Sequence, residues 1–216
     1  VITVPSRELA EQLTAVAAQL ISFSDTEILL EKCIGGTDKK RQVAKLTQTQ
    51  PHIVIGTPGR IFDLMQENAL FVQTVQMMVV DEADMTFDLG FLETVDEIAS
   101  RMPENLQMSV FSATIPDKIK PFLKKYLGNP KIIQIENTQL VSPTIKNQLL
   151  VTKAQNPMDV LRQLLVTGHP YLVLIFVNTK QKADEVTKDL RSHNFKVATI
   201  HGDIPSRERR RVMKQI

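Results

Sequence analysis

The 216-residue sequence has no tryptophan, and aromatic residues make up only 5% of it. Hydrophobic residues still reach 43%, so a packed core is available, but aliphatic side chains must build it. Cys33 is the single cysteine, which excludes a disulfide framework within the chain and argues against a zinc cluster. Its place at the end of the strand-like "EILLEKC" points to a small buried hydrophobe rather than a reactive thiol. No apolar run approaches the ~20 residues of a membrane span. The N-terminus lacks the charged, apolar and small-residue order of a signal peptide. A reducing, cytoplasmic location is the expectation. An excess of one charge is missing too. The net charge is +2 and the pI about 8.6, too mild to indicate nucleic acid by itself.

What is present is a steady alternation of short β-rich runs with helical patterns. "VITV" leads into "SRELAEQLTAVAAQL", where Leu9, Leu13, Val16, Ala17 and Leu20 recur at helical spacing and Ser6 is placed as an N-cap. "EILLEKC", "HIVIGT", "VQMMVV", "MSVFSAT" and "KIIQIE" read as further strands, with helices between them. This order predicts an α/β fold with a parallel sheet covered on both faces. From Asn137 to Pro143, "NTQLVSP" is polar and aperiodic and reads as a linker. The alternation then restarts with strands "IKNQLLV", "YLVLIFV" and "FKVATIH". The expected organisation is residues 1–136, a linker at 137–143, and residues 144–216. The chain starts inside a strand at Val1 and stops inside a helical pattern, so both units read as incomplete.

"MMVVDEADMTF" places Asp81, Glu82 and Asp84 within four residues, straight after the most apolar strand. Mutual repulsion disfavours that arrangement unless something positive offsets it. In open parallel sheets, ligands sit beyond the carboxyl ends of strands. A magnesium ion bound to nucleotide phosphates takes hard oxygen ligands and needs only one or two carboxylates. Asp81 and Glu82 are therefore candidates to hold that ion and to orient or deprotonate an attacking water. The bland alternative is a solvated acidic turn. "SAT", Ser112 to Thr114, ends another strand at the same edge, where its hydroxyls can reach Asp84; the alternative is a helix N-cap.

Three further turns fall at strand carboxyl ends: "PSRELA" with Arg7, the pair Gly35 and Gly36, and "TPGR" with Thr57, Gly59 and Arg60. Glycines permit close backbone approach, helix N-termini bind phosphate oxygens, and arginines add charge-assisted contacts. None of these groups reads a base, so the expected ligand is a sugar-phosphate backbone bound without sequence preference. Each turn alone is an ordinary β–α connection; together on one edge they favour a polyanion track. In the last helix, Arg207, Arg210, Arg211 and Lys214 share one face, which reads as a solvated stripe rather than a phosphate site. His52, His169 and His193 lack metal-ligand spacing.

These pieces in this order resemble the DEAD-box RNA helicase family over nearly the whole chain. "DEAD" at Asp81–Asp84 and "SAT" at Ser112–Thr114 match two of its motifs. "PSRELA" is similar to its PTRELA, with Ser6 in place of threonine. "GG" and "TPGR" match its RNA-contacting turns. "LIFVNT", ending at Thr179, and "HGD", His201 to Asp203, match elements of its second domain. Ser206 stands where that family has glutamine, while Arg209 fits. The resemblance implies two RecA-like domains that close on ATP, Mg²⁺ and RNA. Closure would bend one strand so that a short duplex cannot persist, and hydrolysis would release it. It implies that Asp81 and Glu82 serve the metal and the water, and that Asp84, Ser112 and Thr114 couple hydrolysis to closure. It also implies that Arg7, Gly35, Gly36, Thr57, Gly59 and Arg60 hold RNA from the first domain, and Thr179, Gly202, Asp203 and Arg209 from the second. His201 becomes a loop-positioning residue.

The family's Gly-Lys-Thr phosphate loop, its adenine-reading glutamine motif and its late arginine-rich motif do not occur in these 216 residues. The expectation is a fragment of an ATP-dependent RNA helicase that does not turn over ATP alone. Ribonucleoprotein partners would be reached through tails outside it. Two rivals remain: a catalytically inactive RNA clamp or scaffold, and a DNA translocase of a related superfamily.

Overall fold

A computed structural model describes residues 1–135, 144–152 and 156–215. The chain divides into two compact units, Val1–Gln134 and Ile135–Ile216. The linker expected at 137–143, and the side chains of Ser206 and Arg210, lie outside what is described.

The first unit is built on five parallel strands: β1 (Ile2–Thr3), β2 (Leu30–Cys33), β3 (Ile53–Gly56), β4 (Met77–Val80) and β5 (Gln107–Val110). Their spatial order is β2-β3-β1-β4-β5, with β1 paired to both β3 and β4. The connection leaving β1 runs toward β2 and the one leaving its neighbour β4 runs the opposite way toward β5, which opens a crevice at the carboxyl ends of β1 and β4. Helices α1 (Arg7–Ile21), α2 (Lys39–Gln48), α3 (Pro58–Gln66), α4 (Ala83–Asp88), α5 (Leu92–Ser100) and α6 (Lys120–Tyr126) follow the strands, with a 3₁₀ turn at Asp117–Ile119.

Successive side chains of a strand point to opposite faces. Val54 and Ile55 accordingly enter different apolar clusters. Val54 joins the larger one with Cys33, Met78 and Val80, Ile61 and Leu64 of α3, Val95 and Ile98 of α5, and Phe122 of α6. Ile55 joins Val4, Ala10 and Ile34, against which Leu9 and Leu13 of α1 pack. Of the periodic face of α1, Leu9, Leu13 and Ala17 pack on this cluster, while Val16 and Leu20 toward its end are exposed, and the Ser6 hydroxyl accepts from the Leu9 N–H at 3.1 Å as an N-cap. Among the described residues the aromatic ring contacts are an edge-on Phe87–Phe122 pair, 5.5 Å between centroids, and its neighbour Tyr126, while Phe62 packs against the same cluster.

The second unit contains α7 (Pro157–Gly168), α8 (Lys180–Ser192) and α9 (Ser206–Met213). Arg162 of α7 donates to both carboxylate oxygens of Asp189 on α8 at 2.7 and 2.5 Å. The strands expected from "IKNQLLV", "YLVLIFV" and "FKVATIH" are not formed among the described residues, nor is "KIIQIE" a strand over residues 131–135. A strand exists only within a ladder. These segments have no paired neighbour among the described residues, and side chains suited to a sheet stay in solvent: Leu149 is 91% exposed and Phe176 89%.

Candidate nucleotide and nucleic-acid site

The acidic turn is pinned by the ladder it leaves. The Asp81 N–H donates to the Thr3 carbonyl at 3.0 Å, and the Phe111 N–H to the Val80 carbonyl at 2.8 Å. The Ala83 N–H then donates across to the Phe111 carbonyl at 3.0 Å. Glu82, between them, adopts the left-handed conformation, φ 48 and ψ 52. That conformation costs a non-glycine residue ~1 kcal/mol or more. The Glu82 N–H partly offsets it by donating to Asp81 Oδ1 at 3.0 Å. The reversal lets α4 begin at once, leaving Asp81 half-buried at the sheet edge and Glu82 exposed beside it. No periodicity in the sequence announces α4; the burial of Ala83, Thr86 and Phe87 explains why the chain coils here rather than wandering as a loop.

Asp84 joins this turn to the end of β5. Its Oδ2 accepts from the Thr114 hydroxyl at 2.7 Å and the Thr114 N–H at 3.0 Å, and its Oδ1 from the Met85 N–H at 3.0 Å. Its own N–H donates to Ser112 Oγ at 3.1 Å, and that hydroxyl donates to the Thr114 carbonyl at 2.5 Å. The Thr114 hydroxyl chiefly, with the backbone donors and Ser112, holds the Asp84 carboxyl below its usual range against a smaller opposing effect of burial. Asp81, Glu82, Asp84, Ser112 and Thr114 therefore form one connected edge.

Among the described residues no cluster of three or more His, Cys, Asp or Glu side chains could cage a metal alone. Mg²⁺ shared with phosphates needs no such cage. Two adjacent carboxylates, one exposed and one half-buried beyond a parallel strand, are donors of the right hardness and number.

Arg7, exposed at the start of α1, lies over the glycine pair. A Cβ on Gly35 would fall 2.9 Å from one guanidinium nitrogen of Arg7; on Gly36, whose φ is +82, it would fall 3.0 Å from the other. Thr57 N-caps α3 without using its hydroxyl as the cap, and a Cβ on Gly59 would meet nothing within 4 Å. Gly56, which no motif in the sequence marks, is the tightest glycine position among the described residues: a Cβ there would lie 2.0 Å from the Cys33 carbonyl oxygen. That contact goes with the bond from the Thr57 N–H to the same oxygen at 2.9 Å, which ties the ends of β2 and β3 together.

Arg60 requires a correction. It was expected to reach a phosphate, but it is 8% exposed. One terminal nitrogen donates to Thr37 Oγ1 at 3.0 Å and Gln42 Oε1 at 2.9 Å, and the other to the Thr37 carbonyl at 3.1 Å. Position 60 directly follows Gly59 as the third residue of α3, and the helix turns it inward against Gln42 of α2.

In the second unit, Thr179 N-caps α8, its hydroxyl accepting from the Lys182 N–H at 3.1 Å. Lys180 donates to Asp203 Oδ1 at 2.5 Å, and this contact chiefly holds the Asp203 carboxyl below its usual range. The Asp203 N–H donates to His201 Nδ1 at 3.4 Å, so Nε2 carries the proton and donates to Asp184 Oδ1 at 3.1 Å. Thr179, Gly202 and Asp203 are thereby gathered at the start of α8, with His201 bracing the loop. Arg209 is half-buried on α9.

The sequence profile described as DEAD/DEAH box helicase matches residues 1–122, and that of the helicase conserved C-terminal domain matches residues 156–216. The chain belongs to the DEAD/DEAH box helicase family. It is 52% identical over 216 residues to the DEAD-box ATP-dependent RNA helicase CshB of Listeria monocytogenes, a match covering 100% of this chain and 49% of that protein. It is 46% identical over 217 residues to CshB of Bacillus subtilis, again covering 100% of this chain and 49% of the relative. Among solved structures, S. cerevisiae Dbp5 bound to RNA and ADP BeF3 superposes with a TM-score of 0.75 at 26% identity, covering 99% of this chain and 54% of that one. A DEAD box protein from the hyperthermophile Methanococcus jannaschii gives 0.57 at 30% identity, with 99% and 56% covered. The chain thus spans about half the length of the curated relatives it matches. The α/β fold with a RecA-like parallel sheet, followed by a second unit, agrees with these structures.

Proposed function

We propose that this chain is part of an ATP-dependent RNA helicase that unwinds short duplexes or remodels RNA–protein complexes. Residues 1–136 are assigned to its first RecA-like domain and 144–216 to its second. The observation that carries this reading is the grip of Ser112 and Thr114 on Asp84, which links the acidic turn after β4 to the end of β5. A turn that only needed to be soluble would not require a carboxylate with three donors. The relatives' names and the RNA-bound Dbp5 structure support the same class.

In this reading Asp81 would hold a Mg²⁺ ion shared with the nucleotide phosphates, and Glu82 accepts the proton of the water that attacks the γ-phosphorus. The water oxygen forms the new bond as the bond to the departing ADP oxygen breaks. The ion, when bound, neutralises phosphate charge. Asp84, Ser112 and Thr114 transmit the state of the acidic turn to the rest of the sheet edge. Arg7, the Gly35–Gly36 turn, Thr57 and Gly59 hold a sugar-phosphate backbone, and Thr179, Gly202 and Arg209 do so from the second domain. Asp203, an acceptor only, suits a ribose hydroxyl rather than a phosphate.

The test uses the full-length protein with ATP and Mg²⁺. RNA is expected to stimulate hydrolysis, DNA of the same sequence is expected to stimulate it far less, and a short RNA duplex should be separated. Equal stimulation by DNA would favour a translocase, and absent hydrolysis with retained RNA binding an inactive clamp.

A further inference from the structure

Beneath the glycine turn lies a buried polar chain that the proposed chemistry does not use. Glu31, Gln42 and Arg60 are each 8% exposed. Lys45 donates to Glu31 Oε2 at 2.5 Å, and Gln42 Nε2 donates to Glu31 Oε1 at 2.6 Å and to the Lys32 carbonyl at 2.9 Å. The Gln42 carbonyl oxygen then receives Arg60. Arg60 in turn grips Thr37 by hydroxyl and carbonyl, and the Thr37 hydroxyl donates to the Ile34 carbonyl at 2.9 Å, closing the turn that contains Gly35 and Gly36. A neutral amide between a carboxylate and a guanidinium satisfies both without either leaving the interior.

We propose that Gln42 is a positioning residue for RNA binding: through Arg60 and Thr37 it holds the Gly35–Gly36 turn and the start of α3 as one preformed surface. This rests on the reading that this sheet edge holds RNA. Arg60 joins two pieces of that surface from below: its backbone belongs to the "TPGR" helix start and its guanidinium closes the glycine turn. Arg7 supplies positive charge from above. A backbone cradle must be rigid to gain from its N–H groups, since ordering a loop on binding lowers affinity. Two features of the sheet end show the same rigidity: the Thr57 N–H bonded to the Cys33 carbonyl, and the absence of room for any side chain at Gly56.

Charge and position separate in the salt dependence of binding. A side chain that neutralises a phosphate contributes about 0.7 to the slope of log K against log salt on a single strand, whereas a side chain acting through others contributes nothing. The full-length protein is titrated against a fluorescein-labelled oligouridylate, with a non-hydrolysable ATP analogue and Mg²⁺, across a sodium chloride series. Gln42→Leu is expected to raise the Kd about tenfold, and the milder, exposed Thr37→Val about threefold, both with the wild-type slope. Arg60→Gln is expected to behave like Gln42→Leu. In steady-state hydrolysis these variants should raise the half-saturating RNA concentration while kcat at saturating RNA stays within about twofold, a split that lost stability alone would not produce.

Arg7→Ala serves as the control for the site and should lower both affinity and slope. If Arg7→Ala weakens binding while Gln42→Leu and Thr37→Val remain at the wild-type Kd, the positioning role is wrong and the RNA site stands. A fall in slope with Arg60→Gln would mean that Arg60 touches phosphate itself, which also overturns the proposal. Unchanged binding in Arg7→Ala would remove the RNA site and the inference with it. Should Gln42→Leu fail to fold, Thr37→Val decides.

Discussion

Replacing Thr114 by valine removes one hydroxyl and keeps the shape of the side chain. The hydroxyl lost is the 2.7 Å donor to Asp84 Oδ2, the largest influence holding that carboxyl below its usual range. A hydrogen bond to a charged acceptor contributes ~1.5–3 kcal/mol where it is sheltered. Thr114 is exposed and Asp84 only half-buried, so water competes at this site and the expected loss falls to about 1 kcal/mol. In unfolding of the first unit this corresponds to a decrease in Tm of roughly 2–4 °C. The sign of the pH dependence follows from the depressed carboxyl. Its contribution is complete above the unfolded value of about 4 and is lost as pH falls through the lower folded value. The gap between wild type and Thr114→Val is therefore largest at neutral pH and closes on acidification below about pH 4. Thermal melts by circular dichroism from pH 7 downward, with an NMR titration of the Asp84 carboxyl carbon, measure both quantities. Equal stability at pH 7, a gap that persists unchanged in acid, or an Asp84 titration identical in the two proteins would refute the reasoning.

Other outcomes follow from single positions. Gly56→Ala should cost ~3 kcal/mol or more, because its Cβ would lie 2.0 Å from a backbone oxygen that cannot rotate away; an unchanged melting curve would show that the β2–β3 junction yields. Gly59→Ala meets nothing within 4 Å and should leave stability within ~1 kcal/mol of wild type or slightly above it, yet weaken RNA binding measured by anisotropy if a backbone approaches there. Cys33, whose thiol is pushed up to about 12 chiefly by burial and then by the neighbouring Glu31 carboxylate, should resist iodoacetamide at pH 8 and react only after denaturation; peptide mapping by mass spectrometry reads the result.

Much of the first unit could be read from the chain because local pattern and tertiary demand agree there. The run "MMVV" is apolar where β4 lies inside the sheet between β1 and β5, with Met78 and Val80 fully buried and Val79 half-buried, while Met77 at its start is exposed. Ser6 caps α1 for the reason its chemistry gives, an oxygen facing an unpaired N–H. The link between Asp84 and the "SAT" hydroxyls was legible from their shared sheet edge. What escaped depends on contacts distant in sequence. Arginine beside a glycine in a turn reads as a surface charge, and only the approach of Gln42 on α2 and of Thr37 in the turn before it makes Arg60 an interior brace. Helix α4 was hidden because its six residues are too few to show a period, and Glu82 enters it through a conformation that no propensity favours. In the second unit the strand patterns are plain, but a pattern specifies a strand only when a neighbouring strand completes it. Runs such as "YLVLIFV" accordingly remain without a ladder among the described residues.

In the proposed function the carboxylates after β4 do chemistry on a nucleotide rather than decorate a turn. The most direct measurement is RNA-stimulated ATP hydrolysis by the full-length protein carrying Glu82→Gln. The substitution keeps size and hydrogen-bonding capacity and removes the proton acceptor. Turnover is expected to fall about 10²–10⁴-fold while Mg²⁺–ATP and RNA still bind. Hydrolysis at the wild-type rate would contradict the account.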